Sequence, residues 1–138
     1  FTRTHAHAIC FCPDPDSSAR IKRNATRLGV PWLEVMGAAP RALKDARYAS
    51  GPNAVAPDAI YVGGGLGDEL VVITAWSMLR PGGHMVINAR TEEEAAELST
   101  YQQRYGGTLR RVGISIDGTE TEDITQWRAI KPLVPTGV

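Results

Sequence analysis

The sequence predicts an α/β fold on a mainly parallel sheet, finished by an antiparallel pair at the carboxyl-terminal end. Three observations predict it. Short β-compatible runs alternate with longer helical runs along most of the chain, the pattern of a parallel sheet with helices on both faces. Glycines punctuate the joins at Gly29, Gly63-Gly64-Gly65, Gly82-Gly83 and Gly106-Gly107. The last two strand-like runs follow one another with only an Asp117-Gly118 turn between them.

The elements follow in order. Residues 6–11 (AHAICF) are apolar and form the first strand, broken by Pro13-Asp14-Pro15-Asp16. Ser17 to Leu28 is a helix with Ala19, Ile21, Ala25 and Leu28 as its buried stripe, capped by Asp14 or Asp16 and closed by Gly29. Leu33 to Met36 is the second strand, Pro40 to Ala46 a short helix, and Arg47 to Pro57 a polar, proline-bearing loop. Asp58 to Val62 is the third strand and runs into the triple glycine. A helix then starts at Asp68 or Glu69 and reaches Leu79. Pro81-Gly82-Gly83 turns the chain into a fourth strand, His84 to Ile87, which ends at Asn88. Thr91 to Tyr105 is a helix opened by Thr91 with Glu92, Glu93 and Glu94, which suit the positive end of its dipole, and stopped by Gly106-Gly107. Thr108 to Ile116 and Ile124 to Ile130 are the last two strands, and the tail after Pro132 is loose. Trp76 falls in an apolar helix and belongs to the core; Trp127, on an edge strand, either packs or stacks on a flat ligand.

The chain has 138 residues, about one domain. Fifteen basic and fifteen acidic side chains cancel, so no global field draws it to nucleic acid or to anionic lipid. No apolar run approaches the ~20 residues that span a bilayer. Phe1 to His7 has no apolar region of the secretory kind, and with no initiator Met the chain is either processed or a fragment. Cys10 and Cys12 point to one face of a strand, where a disulfide across one residue would be strained. With His5 and His7 they make a poor tetrahedral set, so no metal is assigned, and reduced thiols suit the cytoplasm.

Ligands of open parallel sheets sit beyond the carboxyl ends of the strands. Here that selects Cys12, Asp14 and Asp16; then Gly37-Ala38-Ala39-Pro40; then Gly63, Gly64 and Gly65; then Asn88 and Ala89. Three glycines before a helix let the backbone approach a ligand and turn amides toward an anion, and a carboxylate-bearing substrate suits such a nest; a tight connection alone needs only one or two. Asp14 either hydrogen-bonds a ribose or caps its helix. Asn88 either orients a substrate or forms a turn. His84 starts its strand at the end away from the site.

Beyond these local signals, APDAIYVGGGL (56–66), WSMLRPGGHMVINA (76–89), YGGTLRRVGIS (105–115) and ITQWRAIKP (124–132) resemble the decarboxylating precorrin methyltransferases of cobalamin synthesis. RIKRNATRLGV (20–30) and GAAPRAL (37–43) fit as well, so the resemblance covers nearly the whole chain. It implies a Rossmann-like class I methyltransferase sheet, S-adenosylmethionine as cofactor and a precorrin as substrate. The matching domain methylates a meso carbon and removes carbon dioxide from an acetate side chain. The resemblance implies cofactor contacts at Cys12, Ala38, Ala39 and Gly63, with the adenine near Ala39, and Asp14 joins them as the ribose acceptor read from its place after the first strand. It implies substrate contacts at Gly64, Gly65 and Asn88, and a homo-oligomer, tetrameric for the stand-alone forms. No residue stands out as acid, base or covalent nucleophile.

Three departures from the family pattern bear on activity. The glycine-rich loop and the strand before it are absent and belong upstream of Phe1. The family's ribose-binding acid aligns with Cys12, whose thiol cannot accept two hydroxyls as a carboxylate does. The segment Ile116 to Gln126 is shorter by roughly ten residues, a loop change of the tolerated kind. Two rivals stay open: another class I methyltransferase acting on RNA or a small molecule, with Arg20, Lys22, Arg23 and Arg27 gathered on one helix, and a degenerate domain that does no catalysis.

Overall fold

A computed structural model describes residues 7–45, 56–64, 66–115, 117–119 and 122–133. Most of the expected 47–57 loop, and Gly65, fall outside the described residues. The chain forms two compact units, Phe1–Ala54 and Val55–Val138.

In the first unit β1 (Ile9–Phe11) is followed by α1 (Pro15–Arg27), β2 (Glu34–Met36) and α2 (Arg41–Asp45). β1 and β2 pair in parallel, with Ile9 opposite Glu34 and Phe11 opposite Met36. Asp14, in extended conformation, caps α1: its carboxylate accepts the Ser17 amide at 2.9 Å. The buried stripe of α1 differs from the predicted one. Ala25 is buried and Ile21 half-buried, whereas Ala19 and Leu28 are exposed. The helical period puts position 18, not 19, in line with Ile21 and Ala25. Leu28 is already the C-cap residue and has left the helical path.

The second unit holds β3 (Ala59–Val62), α3 (Glu69–Met78), β4 (His84–Ala89), α4 (Glu92–Tyr105), β5 (Thr108–Ile114) and β6 (Glu122–Ile130). Its sheet runs β3-β4-β6-β5; β3 and β4 are parallel, and β6 is antiparallel to both β4 and β5. The final pair is thus antiparallel as expected, but of the two strands β6 lies inside the sheet and β5 at an edge, with β3 at the other. Trp127 is therefore no edge residue. It is fully buried, packs against Trp76, Tyr101 and Tyr105, and donates its indole N–H to the Gly106 carbonyl at 2.9 Å. Its reading as a stacking platform for a ligand is corrected to core.

Alternation assigns the two faces of this sheet. Val62, Met85, Ile87, Ala89, Trp127 and Ala129 point into one core with Val72, Ala75 and Leu79 from the α3 segment and Leu98 and Tyr101 from α4. Both helices of this unit pack on that one face. The reverse face carries Tyr61, Asn88, Gln126 and Arg128 together with Val86, Val112, Ile124 and Ile130, so it is mixed in character. Thr91 opens α4 with a reciprocal capping box to Glu94. Lys131 closes the other helix by donating to the carbonyls of Trp76, Ser77 and Leu79 at 2.7–3.1 Å. At the amino ends of the strands Asp58 pairs with Arg80, and His84 is exposed there, as its position predicted.

Candidate functional site

The carboxyl ends of β3 and β4 carry a cluster built from three strands. Tyr61, Asn88 and Gln126 project from the face of the sheet opposite the core, and the register brings them together: Asn88 sits opposite Gln126, and Tyr61 beside Val86, two residues before Asn88. Asn88 donates Nδ2–H to the Tyr61 hydroxyl oxygen at 3.0 Å. Its Oδ1 accepts from Gln126 Nε2 at 2.9 Å. One amide thus bridges a phenol and a second amide, and keeps one further N–H and one lone pair to offer.

Gly63 explains how the phenol reaches that position. A Cβ there would stand 3.0 Å from Tyr61 Cε1 and 3.1 Å from its hydroxyl oxygen, so any side chain would push the ring away. Neither Gly63 nor Gly64 has a positive φ; the glycine at 63 serves close approach. At Gly64 an added Cβ would meet nothing within 4 Å. Gly65, expected to bind substrate, lies outside the described residues.

Cys12, Asp14, Ala38 and Ala39 belong to the first unit. The β1–β2 register sets Cys12 and the Gly37 turn at the same end of the strand pair, and the Cys12 amide donates to the Met36 carbonyl at 3.1 Å. The Cys12 thiol donates to the Asp14 carbonyl at 3.6 Å. The hydrogen bonds from Ser17 hold the Asp14 carboxyl below its ordinary range, so it is anionic near neutral pH. Ala38 gives its carbonyl to the Ala42 amide at 2.8 Å, which opens α2, while Ala39 is half-buried. Burial, then the nearby Cys12, push the Cys10 thiol up; both cysteines are free. Among the described residues no three His, Cys, Asp or Glu side chains gather as a metal site, and no helix is long and apolar enough to cross a membrane.

The precorrin methyltransferase domain model matches residues 1–136. The chain belongs to that family. It is 39% identical over 127 residues to a decarboxylating precorrin-6Y C(5,15)-methyltransferase from a Sinorhizobium species, covering 91% of this chain and 29% of the relative. The chain therefore spans less than a third of the length of that curated relative. Among solved structures, a domain assigned as precorrin-6Y C5,15-methyltransferase from Corynebacterium diphtheriae is 32% identical with a TM-score of 0.79, over 94% of this chain and 78% of the other. The same fold recurs at 12% identity and a TM-score of 0.60 in an S-adenosylmethionine-dependent O-methyltransferase from Thermotoga maritima, over 96% of this chain and 52% of that one. The class I methyltransferase fold of this precorrin methyltransferase domain is thereby established, with its antiparallel final pair.

Sequence reasoning selected Gly63 and Asn88 but passed over Tyr61 and Gln126, the two residues that hold Asn88. Strand alternation could have placed Tyr61 on the outward face, but the partnership of β4 with β6 was not visible from spacing.

Proposed function

We propose that this chain is a single methyltransferase domain that methylates a precorrin carbon with S-adenosylmethionine and assists loss of carbon dioxide from an acetate side chain, in cobalamin biosynthesis. The observation that carries the reading is the cluster at the ends of β3 and β4, where Gly63 admits the Tyr61 ring and Asn88 keeps hydrogen-bonding capacity to spare, on a chain of this family. Homo-oligomeric assembly, tetrameric by resemblance, and a cytoplasmic location accompany the proposal, with neither nucleic acid nor membrane as partner.

The residues present suit the cofactor chemically. Asp14 is an anionic, exposed acceptor beside Cys12, where a ribose hydroxyl would be held, and Ala38 and Ala39 are small enough to lie against an adenine. Asp14 thus makes up for the thiol at position 12, although one of its oxygens also serves the helix cap. When bound, S-adenosylmethionine supplies an electrophilic methyl group. The chain's own contribution is placement. Gly63 and Gly64 bring backbone close to the substrate, and Asn88 offers its remaining N–H to a substrate oxygen. In the decarboxylation the carbon–carbon bond breaks, carbon dioxide leaves and the electron pair enters the conjugated macrocycle. The protein therefore has to orient and desolvate the carboxylate, and no side chain need act as a covalent nucleophile.

Calorimetric titration with S-adenosylmethionine tests the cofactor, and Gly64→Ala tests the site. The variant should fold normally, since its new methyl meets open space, and should lose turnover. Full activity in that variant, or no heat of cofactor binding to folded protein, would overturn the proposal.

A further inference from the structure

Tyr61 is 64% exposed on the face of the sheet opposite the core. Its ring occupies the space that a side chain at Gly63 would need, and Asn88 donates to its hydroxyl oxygen. The hydrogen bonds run in one direction, from Gln126 Nε2 to Asn88 Oδ1 and from Asn88 Nδ2 to Tyr61. A phenol that accepts through oxygen still has its own proton to give, and a chain of aligned bonds strengthens that donor. Among the described residues nothing takes that proton. An outward-facing hydroxyl donor at the carboxyl ends of two parallel strands is suited to a ligand's anionic oxygen.

We infer that Tyr61 anchors the substrate, donating its hydroxyl proton to a tetrapyrrole carboxylate that stays on the ring, and that Gln126 is a positioning residue acting through Asn88. The inference rests on the precorrin reading above. The choice of a carboxylate that persists follows from charge. A donor on the departing carboxylate would stabilise the very charge that must move into the macrocycle, and so would oppose bond cleavage. A donor on a lasting carboxylate binds ground and transition states alike, which lowers KM and leaves kcat alone.

The test uses the natural full-length protein, with methyl transfer to its precorrin measured at saturating cofactor. Binding of uroporphyrin III, a stable polycarboxylate tetrapyrrole, gives an independent readout by its Soret shift. Tyr61→Phe keeps the ring over Gly63 and removes only the proton. KM for the precorrin and Kd for uroporphyrin III should each rise about tenfold, as for loss of a hydrogen bond to a charged group, with kcat within about twofold. Gln126→Leu should raise both by a smaller factor, and should add little when combined with Tyr61→Phe, because the two act on one contact. Unchanged KM and Kd in a folded Tyr61→Phe protein, a loss confined to kcat, or fully additive double-variant effects would overturn the inference and leave the proposed function standing. A wild-type protein that neither methylates the precorrin nor binds uroporphyrin III would overturn both.

Discussion

Replacing Trp127 by Phe should be among the more damaging conservative changes in the second unit. The indole is fully buried at the centre of β6, with ring centroids of Trp76, Tyr101 and Tyr105 at 6.0, 6.1 and 6.3 Å. Its N–H reaches the Gly106 carbonyl at 2.9 Å and ties β6 to the end of α4. Losing that hydrogen bond costs about 1 kcal/mol. Weaker aromatic contacts cost about 0.5–1 kcal/mol. The void left by the smaller ring adds about 1 kcal/mol at roughly 24 cal/mol per Å³. The sum is about 2.5–3 kcal/mol, a fall in Tm of about 8–12 °C for a domain of this size. Thermal unfolding followed by near-ultraviolet circular dichroism would measure it. Trp32→Phe is the control: Trp32 is 67% exposed, and its replacement should stay within about 0.5 kcal/mol of wild type. A Trp127→Phe protein melting within about 2 °C of wild type would refute the assignment of this indole as the keystone of the core.

Three further outcomes follow from local geometry. Gly107→Ala should destabilise by several kcal/mol or abolish folding, because φ is +90° and the new Cβ would collide with the Arg128 carbonyl oxygen, while Gly64→Ala, in open space, should leave chemical denaturation unchanged. Thr91→Ala removes the reciprocal capping box of α4 and should cost about 1 kcal/mol, read from the urea midpoint. Asp14 has its folded pKa below the unfolded value, so its stabilising contribution is present above the ordinary carboxylate pKa of about 3.9 and is lost as pH falls through the lowered value. Asp14→Asn keeps a capping side chain without the charge, and should flatten that acid limb in a far-ultraviolet pH titration; an unaltered acid limb would show that Asp14 does not contribute to it.

The chain itself determined whatever depends on neighbours a few residues apart. Asp14 before a helical run, Thr91 with Glu94 three positions on, and Gly106 after Tyr105 mark helix ends because caps are closed by side chains and amides within one turn. The alternation of strands with helices sufficed for the α/β class, and the family resemblance for the methyltransferase sheet. Gly63 and Asn88 were legible as strand-end positions, where parallel sheets present ligands, and their role there is the proposal above. Tertiary structure alone decided what depends on partners far along the chain. The insertion of β6 between β4 and β5 buried Trp127 and set Gln126 beside Asn88, 38 positions away. The short Asp117-Gly118 turn announced the pairing of β6 with β5, but spacing carries no information about the second partner of β6, since backbone hydrogen bonds are alike at every register and only the packing of the two faces distinguishes them. That pairing also left Tyr61, Asn88 and Gln126 together on the face opposite the core.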